Sequence, residues 1–275
     1  METVGIDTHY SAGRLGQLPD ERRRPGFLAW LQVVTRDHPK PQEDAMPTAQ
    51  AVTQLSASTD RASAIRVAAL AGITGPILFT LMFLVQQVAR RAEYDPIAEP
   101  VSALEAGPSG WIQQANFVVF GVLLLAFAFG VHGGLARSRF GILGPALLGV
   151  AGIGLFLAAG LPLREDSAGV TYDPGGHFVA GTTFFLSTSL ALLVLSRRLS
   201  GDPRFRGLAV YTAICGALAL VGFVVIGRFA MPDDAPLHDV AGLLQRAVIM
   251  AVTFPCLVVL AVRLLRTSRS SINST

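Results

Sequence analysis

One arginine lies within a long apolar segment of this sequence, and a charge in that setting needs a chemical explanation. Arg246 falls about two helical turns into the segment that begins at Val240. A charge at that depth in a bilayer costs about 2.5–3.5 kcal/mol on insertion scales and usually faces a protein interior or a water-filled cavity. His238, Gly242 and Arg246 recur at four-residue intervals, so they share one helix face, with Asp239 close to the same stripe. Two interpretations are open: a structural ion pair with a loop carboxylate, or a pocket that binds an anion.

Two histidines at the starts of apolar segments, His177 and His238, are the residues most able to bind a metal. A catalytic zinc usually takes three protein ligands, so a carboxylate from Asp95, Asp173 or Asp239 would have to supply the third. The sequence contains neither an H-E-x-x-H nor an H-x-x-x-H pattern. Histidines that bond a neighbouring loop are therefore favoured over metal ligands, and we predict no metal site and no cofactor.

The segment between the first two apolar stretches contains a serine that could act as a nucleophile. Ser102 precedes Glu105 by three residues, which matches the S-x-x-E capping box at the start of a helix. Capping explains both polar side chains and is the favoured interpretation. Gln113 and Asn116 share a face of the second stretch, where hydrogen bonding between helices is the expected role. The candidate ligand-binding residues are Arg246, His177, His238, Asp239, Asp95 and Gln113.

Six apolar stretches hold these residues, and each has the length that a helix needs to cross about 30 Å of hydrocarbon. The mean hydropathy is +0.51, with 51% hydrophobic and 15% charged residues, which is high for a soluble domain. The sequence therefore predicts an all-α, polytopic membrane protein. Its predicted spans are Val67–Val88, Trp111–Val131, Gly141–Leu161, His177–Leu195, Leu208–Gly227 and Val240–Val262.

The charges between the spans differ on the two sides of the membrane. If the N-terminus is cytoplasmic, the inner segments carry Arg61, Arg66, Arg137, Arg139, Arg197, Arg198, Arg204, Arg206, Arg263, Arg266 and Arg269. The outer loops then carry only Arg90, Arg91, Arg164 and Arg228, together with nearly all of the acids after Asp60. Since arginine favours the cytoplasmic side, we expect a plasma-membrane protein with both termini in the cytoplasm. The arginines are scattered rather than clustered with aromatics, so we expect membrane lipids and not nucleic acid as partners.

Three regions are predicted along the chain. Residues 1–60 are rich in Pro, Gln, Asp, Ser and Arg and are expected to form a disordered cytoplasmic tail. Residues 61–266 form the six-helix transmembrane domain, and residues 267–275 form a short cytoplasmic tail.

The starts of the even-numbered spans show a weak internal similarity. The fourth span opens with His177-Phe-Val-Ala-Gly, and the sixth is preceded by His238-Asp-Val-Ala-Gly. Two explanations are open, because Val, Ala and Gly are abundant: chance, or three related hairpins. If the repeat is real, the outer ends of spans 2, 4 and 6 converge on one polar cavity containing His177, Gln113, Asp239 and Arg246.

Several of these motifs together resemble a known family. They are Tyr94-Asp95-Pro96, Val101-Ser102-Ala103-Leu104, Gly110-Trp111-Ile112-Gln113 with Asn116-Phe117, Gly176-His177, and Gly242-Leu243-Leu244-Gln245-Arg246. Together they resemble the bacterial and archaeal six-span membrane proteins catalogued as domain of unknown function 998, over about Ala64 to Arg266. The run Leu161-Pro162-Leu163-Arg164-Glu165-Asp166 departs from the pattern that members often show there. The resemblance implies the fold and a membrane location, and it implies no activity.

Two function classes are compatible with these observations. The first is an integral membrane protein whose outward-facing polar vestibule binds a small anion or a lipid headgroup, with Arg246 as the anion-binding residue. The alternative is a membrane-embedded lipid hydrolase, metal-dependent or not, that uses His177, His238 and the outer acids. Bound metal would distinguish the two most directly.

Overall fold

The fold is that of a computed structural model, which describes residues 49–138 and 141–270. Most of the tail predicted over residues 1–60, and the last five residues of the chain, lie outside the described residues. The helices are α1 (Ala49–Ala89), α2 (Gly110–Gly134), α3 (Leu143–Gly160), α4 (His177–Ser200), α5 (Ala209–Phe229), α6 (Ala241–Ala247) and α7 (Phe254–Ser270). A π-helical turn, Val248–Thr253, joins α6 to α7, and short 3₁₀ segments span Val101–Glu105, Arg206–Leu208 and His238–Val240.

Six helical stretches of the described chain are long and apolar enough to cross a membrane. They run over Thr59–Ala89, Gly110–Gly134, Leu143–Gly160, His177–Ser200, Arg206–Phe229 and His238–Ser268. Large apolar side chains such as Val85, Phe129, Ile214 and Val221 remain exposed along these helices, as expected for surfaces that face lipid. The chain is a multi-pass membrane protein, and the predicted all-α, six-span fold is confirmed. The three-hairpin repeat stays a prediction.

The ends of the outermost helices differ from the expected domain limits. Helix α1 begins at Ala49, so residues 49–60, which we expected in the N-terminal tail, are helical. The stretch from Ala49 to Thr59 contains Ala, Gln and Leu, which favour helix despite the polar composition. At the other end, α7 extends to Ser270, past the expected limit at residue 266.

Prolines within the spans are accommodated in different ways. Pro145 is the third residue of α3, where the backbone N–H has no intrahelical partner in any case. Pro255 is the second residue of α7, and α7 directly follows the π-helical turn. Proline removes a donor and crowds the carbonyl one turn before it, and widening to a π-helical turn relieves that crowding. The sixth span therefore changes its helical register between Gln245 and Pro255.

Small residues and aromatic rings hold the helices together. Gly154 on α3 faces the backbone of α4 at Ala180 and Phe184, so the two helices approach closely there. An aromatic cluster joins α1, α2 and α7: the ring of Phe79 lies 5.1 Å from that of Phe120 and 5.8 Å from that of Phe254. Phe79 and Phe254 of this cluster also line the cavity described below.

Arginine side chains stabilise one end of the bundle. We call this end the basic face, and it consists of the segments 135–138 and 201–208. Arg198 of α4 donates to the carbonyls of His132, Leu135 and Ala136, which follow or end α2 and have no helical donor of their own. Arg204 bonds the Gly134 carbonyl and pairs with the buried Asp202 at 2.8 Å. Arg198 and Arg204, which contribute to the charge bias, thus also cap the C-terminal end of α2.

The opposite end, which we call the acidic face, consists of the segments 90–109, 161–176 and 230–240. It contains a short antiparallel hairpin, β1 (Arg164–Glu165) paired with β2 (Thr171–Tyr172), which the sequence did not predict. Asp173 follows β2, and its carboxylate accepts the backbone N–H groups of Gly175, His177 and Phe178. This carboxylate caps α4 and thereby fixes the position of His177.

Candidate functional site

Arg246 is buried at the acidic face and binds the first loop rather than a carboxylate. Its Nη1 donates to the carbonyl oxygens of Pro96 at 2.7 Å and Glu99 at 2.9 Å, and its Nη2 donates to the Tyr94 hydroxyl. The guanidinium also lies over the rings of Tyr94, at 5.5 Å, and Phe83, at 6.0 Å. Arg246 thus holds the loop between α1 and α2 against the start of the sixth span.

The backbone of this loop is fixed to the same helix by further bonds. The N–H groups of Gly242 and Leu243 donate to the carbonyls of Ala98 and Ile97 at 3.1 and 2.9 Å. A side chain at Gly242 would overlap the Glu99 carbonyl, so this close approach requires glycine. One residue before Arg246, the Gln245 side chain accepts the Val101 N–H at 2.8 Å.

Tyr94 completes this contact between loop and helix. Its hydroxyl accepts from Arg246 and donates to the carbonyls of Glu99 and Pro100, at 3.3 and 3.0 Å. Burial raises the pKa of the Tyr94 phenol above its ordinary value, against the opposing effect of Arg246, so the phenol keeps the proton that it donates. We call this arrangement of Tyr94, Gln245, Arg246 and the loop carbonyls the loop clasp.

The loop clasp differs from the pairing expected for Arg246. Asp95 and Asp239 are both exposed, and among the described residues Arg246 makes no ion pair within 4 Å. The Asp95 carboxylate instead accepts the Ile97 N–H at 2.8 Å within its own turn. Backbone carbonyls satisfy a buried guanidinium without the desolvation of a second full charge, which a carboxylate partner would require.

A cavity of about 510 Å³ lies beside the loop clasp and extends from the acidic face into the helix bundle. That volume is in the range of small-molecule binding sites. Its deep walls are apolar and include Phe79, Leu155, Ala158, Phe184, Phe185, Phe223, Ile226, Val248, Ile249 and Phe254. Its polar residues are Ser102, Thr171, Tyr172, Asp173, His177, Thr182, Asp233 and Gln245.

The shape and charge of the cavity restrict what it can hold. Gly181 and Gly227 line it, and an added Cβ at either glycine would meet no atom within 4 Å. Asp173 and Asp233 are the charged residues of its lining, and neither lysine nor arginine occurs among the described residues that line it. The cavity is therefore an apolar chamber with an acidic rim.

His177 is the one member of the candidate set that lines this cavity. Its Nδ1 lies 3.0 Å from the Leu161 carbonyl and 3.2 Å from Oε2 of Glu105. Because a carbonyl oxygen can only accept, Nδ1 donates to Leu161, and the Glu105 carboxyl group interacts with the Leu163 backbone N–H. His177 therefore joins the end of α3, the start of α4 and the first loop.

Glu105 is fully buried behind His177: its side chain is 0% exposed. Burial raises the pKa of this carboxyl group to about 8, so it is mostly protonated at neutral pH. The capping-box interpretation of Ser102 and Glu105 is wrong. Pro100 occupies the N-cap of the 3₁₀ segment without a side-chain bond, and Ser102 instead lines the cavity.

The remaining candidate residues lie elsewhere. Gln113 is fully buried between α1 and α2, where its side-chain oxygen accepts from Gln86 at 2.9 Å and Asn116 at 3.3 Å. The interhelical hydrogen bonding expected of Gln113 and Asn116 is thus present. His238 is half-buried in its 3₁₀ segment, and its Nδ1 has no partner among the described residues. The structure does not bring His238, Asp239 or Gln113 to the cavity.

No group of three His, Cys, Asp or Glu side chains suited to a metal ion occurs within the described ranges. Sequence reasoning missed Tyr94, Gln245 and the burial of Glu105. Gln245 carried a signal, since it is a polar residue beside Arg246 within an apolar span. Glu105 carried none, because an acid in a loop gives no sign that the loop folds inward.

One comparison with known proteins identifies a protein family. The model of a family described as a protein of unknown function, DUF998, matches residues 73–263, which is more than half of the chain. No curated protein and no solved structure matches the chain.

Proposed function

We propose a function for this chain from the premise that it belongs to the DUF998 family of proteins of unknown function. The proposed function is binding of a lipid-like amphiphile in the cavity at the acidic face. The apolar chain of the ligand would occupy the space between α4, α5 and the sixth span. Its headgroup would lie at the rim, near His177, Asp173 and Asp233.

The observation that carries this proposal is the distribution of polarity in the cavity. Aromatic and aliphatic side chains line its deep part, and the polar side chains come mainly from the loops and helix starts of the acidic face. Water is a poor occupant of a chamber lined in this way, whereas an acyl or isoprenoid chain gains by burial there. A polar headgroup at the rim would lie at the level of the membrane interface, where the loops end.

The charge of the rim supports a neutral or cationic headgroup. Asp173 and Asp233 would repel an anion, and the buried Arg246 nearby already donates to loop oxygens. We therefore assign ligand binding to the cavity, and we assign to Arg246 the role of holding the loop that supplies Ser102 to the cavity wall. This differs from the anionic ligand expected from the sequence.

The membrane orientation belongs to the same proposal. We propose that the protein lies in the plasma membrane with both termini in the cytoplasm and the acidic face outside, because the short segments of the basic face carry the excess of arginine. The cavity would then accept ligands from the outer leaflet.

Photocrosslinking in lipid nanodiscs tests the binding proposal. The probe is a long-chain alcohol with a diazirine in the chain and a terminal alkyne, and mass spectrometry maps its adducts. We expect adducts on Phe184, Phe223 or Ile249, and we expect Gly181→Phe to abolish them by filling the cavity. Gly160→Phe is the matched control, because Gly160 also has open space around it but lies outside the cavity. Adducts only on exposed lipid-facing positions, or equal labelling of both variants, would overturn the proposal.

A hydrolase is the second candidate, and one observation favours it. Ser102 and His177 line the same cavity, and Glu105 contacts His177 on the side away from it. Such a site would transfer the Ser102 hydroxyl proton to Nε2 of His177 as the oxygen attacked an ester carbonyl. His177 would return this proton to the alcohol that leaves when the ester C–O bond breaks, and water would then hydrolyse the acyl-serine. A fluorophosphonate probe that labels the wild type and not Ser102→Ala would establish this function. If the fluorophosphonate does not label the wild type while photocrosslinking is retained, the hydrolase is excluded and lipid binding remains the proposed function.

A further inference from the structure

His177 is held in one orientation, and that orientation fixes what its free nitrogen can do. A carbonyl oxygen can only accept, so the Nδ1 that lies 3.0 Å from the Leu161 carbonyl must carry a proton. Asp173 binds the His177 backbone N–H, and Glu105 lies 3.2 Å from the same Nδ1. With Nδ1 protonated, the neutral imidazole has Nε2 as a lone-pair acceptor.

Nε2 belongs to the part of the ring that the cavity can reach. The partners of Nδ1, the Leu161 carbonyl and the Glu105 carboxyl group, do not line the cavity, whereas His177 does. The Ala158 carbonyl also interacts with the His177 ring. Within the described chain no directed hydrogen bond is made at Nε2, and Nε2 is not one of the fully buried atoms that lack a partner. An acceptor at the rim of an apolar chamber costs free energy unless a ligand or water donates to it.

We propose that His177 selects ligands whose headgroup donates a hydrogen bond, so that the ligand class is long-chain alcohols and related uncharged hydroxyl lipids. This inference rests on the proposed lipid-binding function and names its ligand. The acids Asp173 and Asp233 disfavour a carboxylate or phosphate head, and the Glu105 carboxyl group behind the ring adds no attraction for an anion. An ether of the same length and shape would leave Nε2 unsatisfied.

Two substitutions of His177 separate its two nitrogens. His177→Asn places an amide N–H near the position of Nδ1, so it keeps the bond to Leu161 and removes the acceptor. His177→Gln reaches the position of Nε2, so it keeps an acceptor at the cavity and loses the bond to Leu161. Folding of each variant is checked by its thermal unfolding in detergent.

The experiment measures displacement of the photocrosslinking probe, at about pH 7.5 where histidine is ordinarily neutral, by three competitors of equal chain length. These are the alcohol, its methyl ether and the corresponding carboxylate. In the wild type we expect the alcohol to compete about tenfold better than the ether, as one hydrogen bond provides, and the carboxylate to compete worst. In His177→Asn the alcohol and ether should compete equally, and His177→Gln should retain part of the preference.

Equal competition by alcohol and ether in the wild type would overturn this inference and leave lipid binding intact. So would an unchanged preference in His177→Asn, or strongest competition by the carboxylate. Failure of the probe to label the cavity at all would overturn the proposed function, and this inference with it.

Discussion

Nδ1 of His177 lies 3.2 Å from Oε2 of Glu105, which brings the first residue of α4 against the last residue of the 3₁₀ segment in the first loop. The contact is fully buried on the glutamate side, and the histidine proton is directed to Leu161. A carboxyl group in this position favours its protonated form, because burial desolvates it and no cation among the described residues pairs with it. The inward fold of the first loop thus buries Glu105 in a position that disfavours its ionised form.

This contact predicts that stability falls as pH rises. In the unfolded chain Glu105 ionises near its ordinary value of 4.5, whereas burial raises its pKa in the folded protein to about 8. Between these values only the unfolded state releases the proton, so the free energy of unfolding falls by up to about 1.4 kcal/mol per pH unit. Glu105→Gln, which cannot ionise, should match the wild type near pH 4.5 and be more stable at pH 8.

Thermal unfolding in detergent at several pH values measures this difference. Glu93→Gln is the control, because the Glu93 side chain is 70% exposed and its neutralisation should change stability little at any pH. A wild-type stability that does not change between pH 5 and pH 8, relative to Glu105→Gln, would contradict the prediction.

The loop clasp predicts a structural role for Arg246. Arg246→Leu removes three hydrogen bonds from a charged donor and leaves the acceptors buried, so it should lower the free energy of unfolding by about 3 kcal/mol or more. Arg246→Lys should recover only part of this loss, because an ammonium lacks the guanidinium fork that spans both the carbonyls and Tyr94.

Hydrogen exchange reports where that loss arises. In Arg246→Leu the amides of residues 94–102 should exchange faster, while those of α3 should change little. Arg228→Leu, at an exposed arginine in the last turn of α5, should leave exchange of the loop unchanged. Unaltered exchange of the loop in Arg246→Leu would show that the clasp does not hold it.

The spans were predictable because membrane insertion depends on length and apolar composition, which are local properties of the sequence. Arg246 could also be identified as unusual, since a charge within a span requires a partner. The partner itself was not predictable. Backbone carbonyls of a loop leave no mark in the sequence, whereas Asp239, near the same helix stripe, and loop acids such as Asp95 were the acceptors that the sequence offered.

The cavity was not predictable for a different reason. It exists because Gly181 and Gly227 leave space between helices and because the first loop folds inward to place Ser102 at its wall. Both depend on how helices far apart in the sequence pack together. The polar positions of His177 and Gln113 were each visible in the sequence, but only His177 reaches the cavity.

The basic face predicts a second, opposite pH dependence. Asp202 accepts hydrogen bonds from the Arg204 side chain and from the backbone N–H groups of Ala136 and Arg204, and the first of these contributes most to lowering its pKa to about 2. The stability from this ionised carboxylate is complete above its ordinary value of 3.8 and is lost as pH falls toward 2. Asp202→Asn should therefore destabilise the protein by about 1–3 kcal/mol at pH 7.

The measurement is again thermal unfolding, now at pH 7 and at the lowest pH that the detergent-solubilised protein tolerates. The difference in unfolding temperature between the wild type and Asp202→Asn should become smaller as the pH is lowered. Asp234→Asn, at an exposed acid, should behave as the wild type throughout. An Asp202→Asn protein as stable as the wild type at pH 7 would contradict the prediction.

The last prediction concerns which face is outside. Single cysteines at Ser109, Ser167 and Ala235 on the acidic face should react with a membrane-impermeant thiol reagent in intact cells. Cysteines at Ser138 or Ser200, on exposed positions at the opposite end, should react only after the cells are opened. Cys215 and Cys256 are buried free thiols and are first replaced, so that any signal comes from the introduced residue. The reverse pattern would place the arginine-rich segments outside, against the bias that sets the orientation of membrane helices, and the cavity would then accept ligands from the inner leaflet.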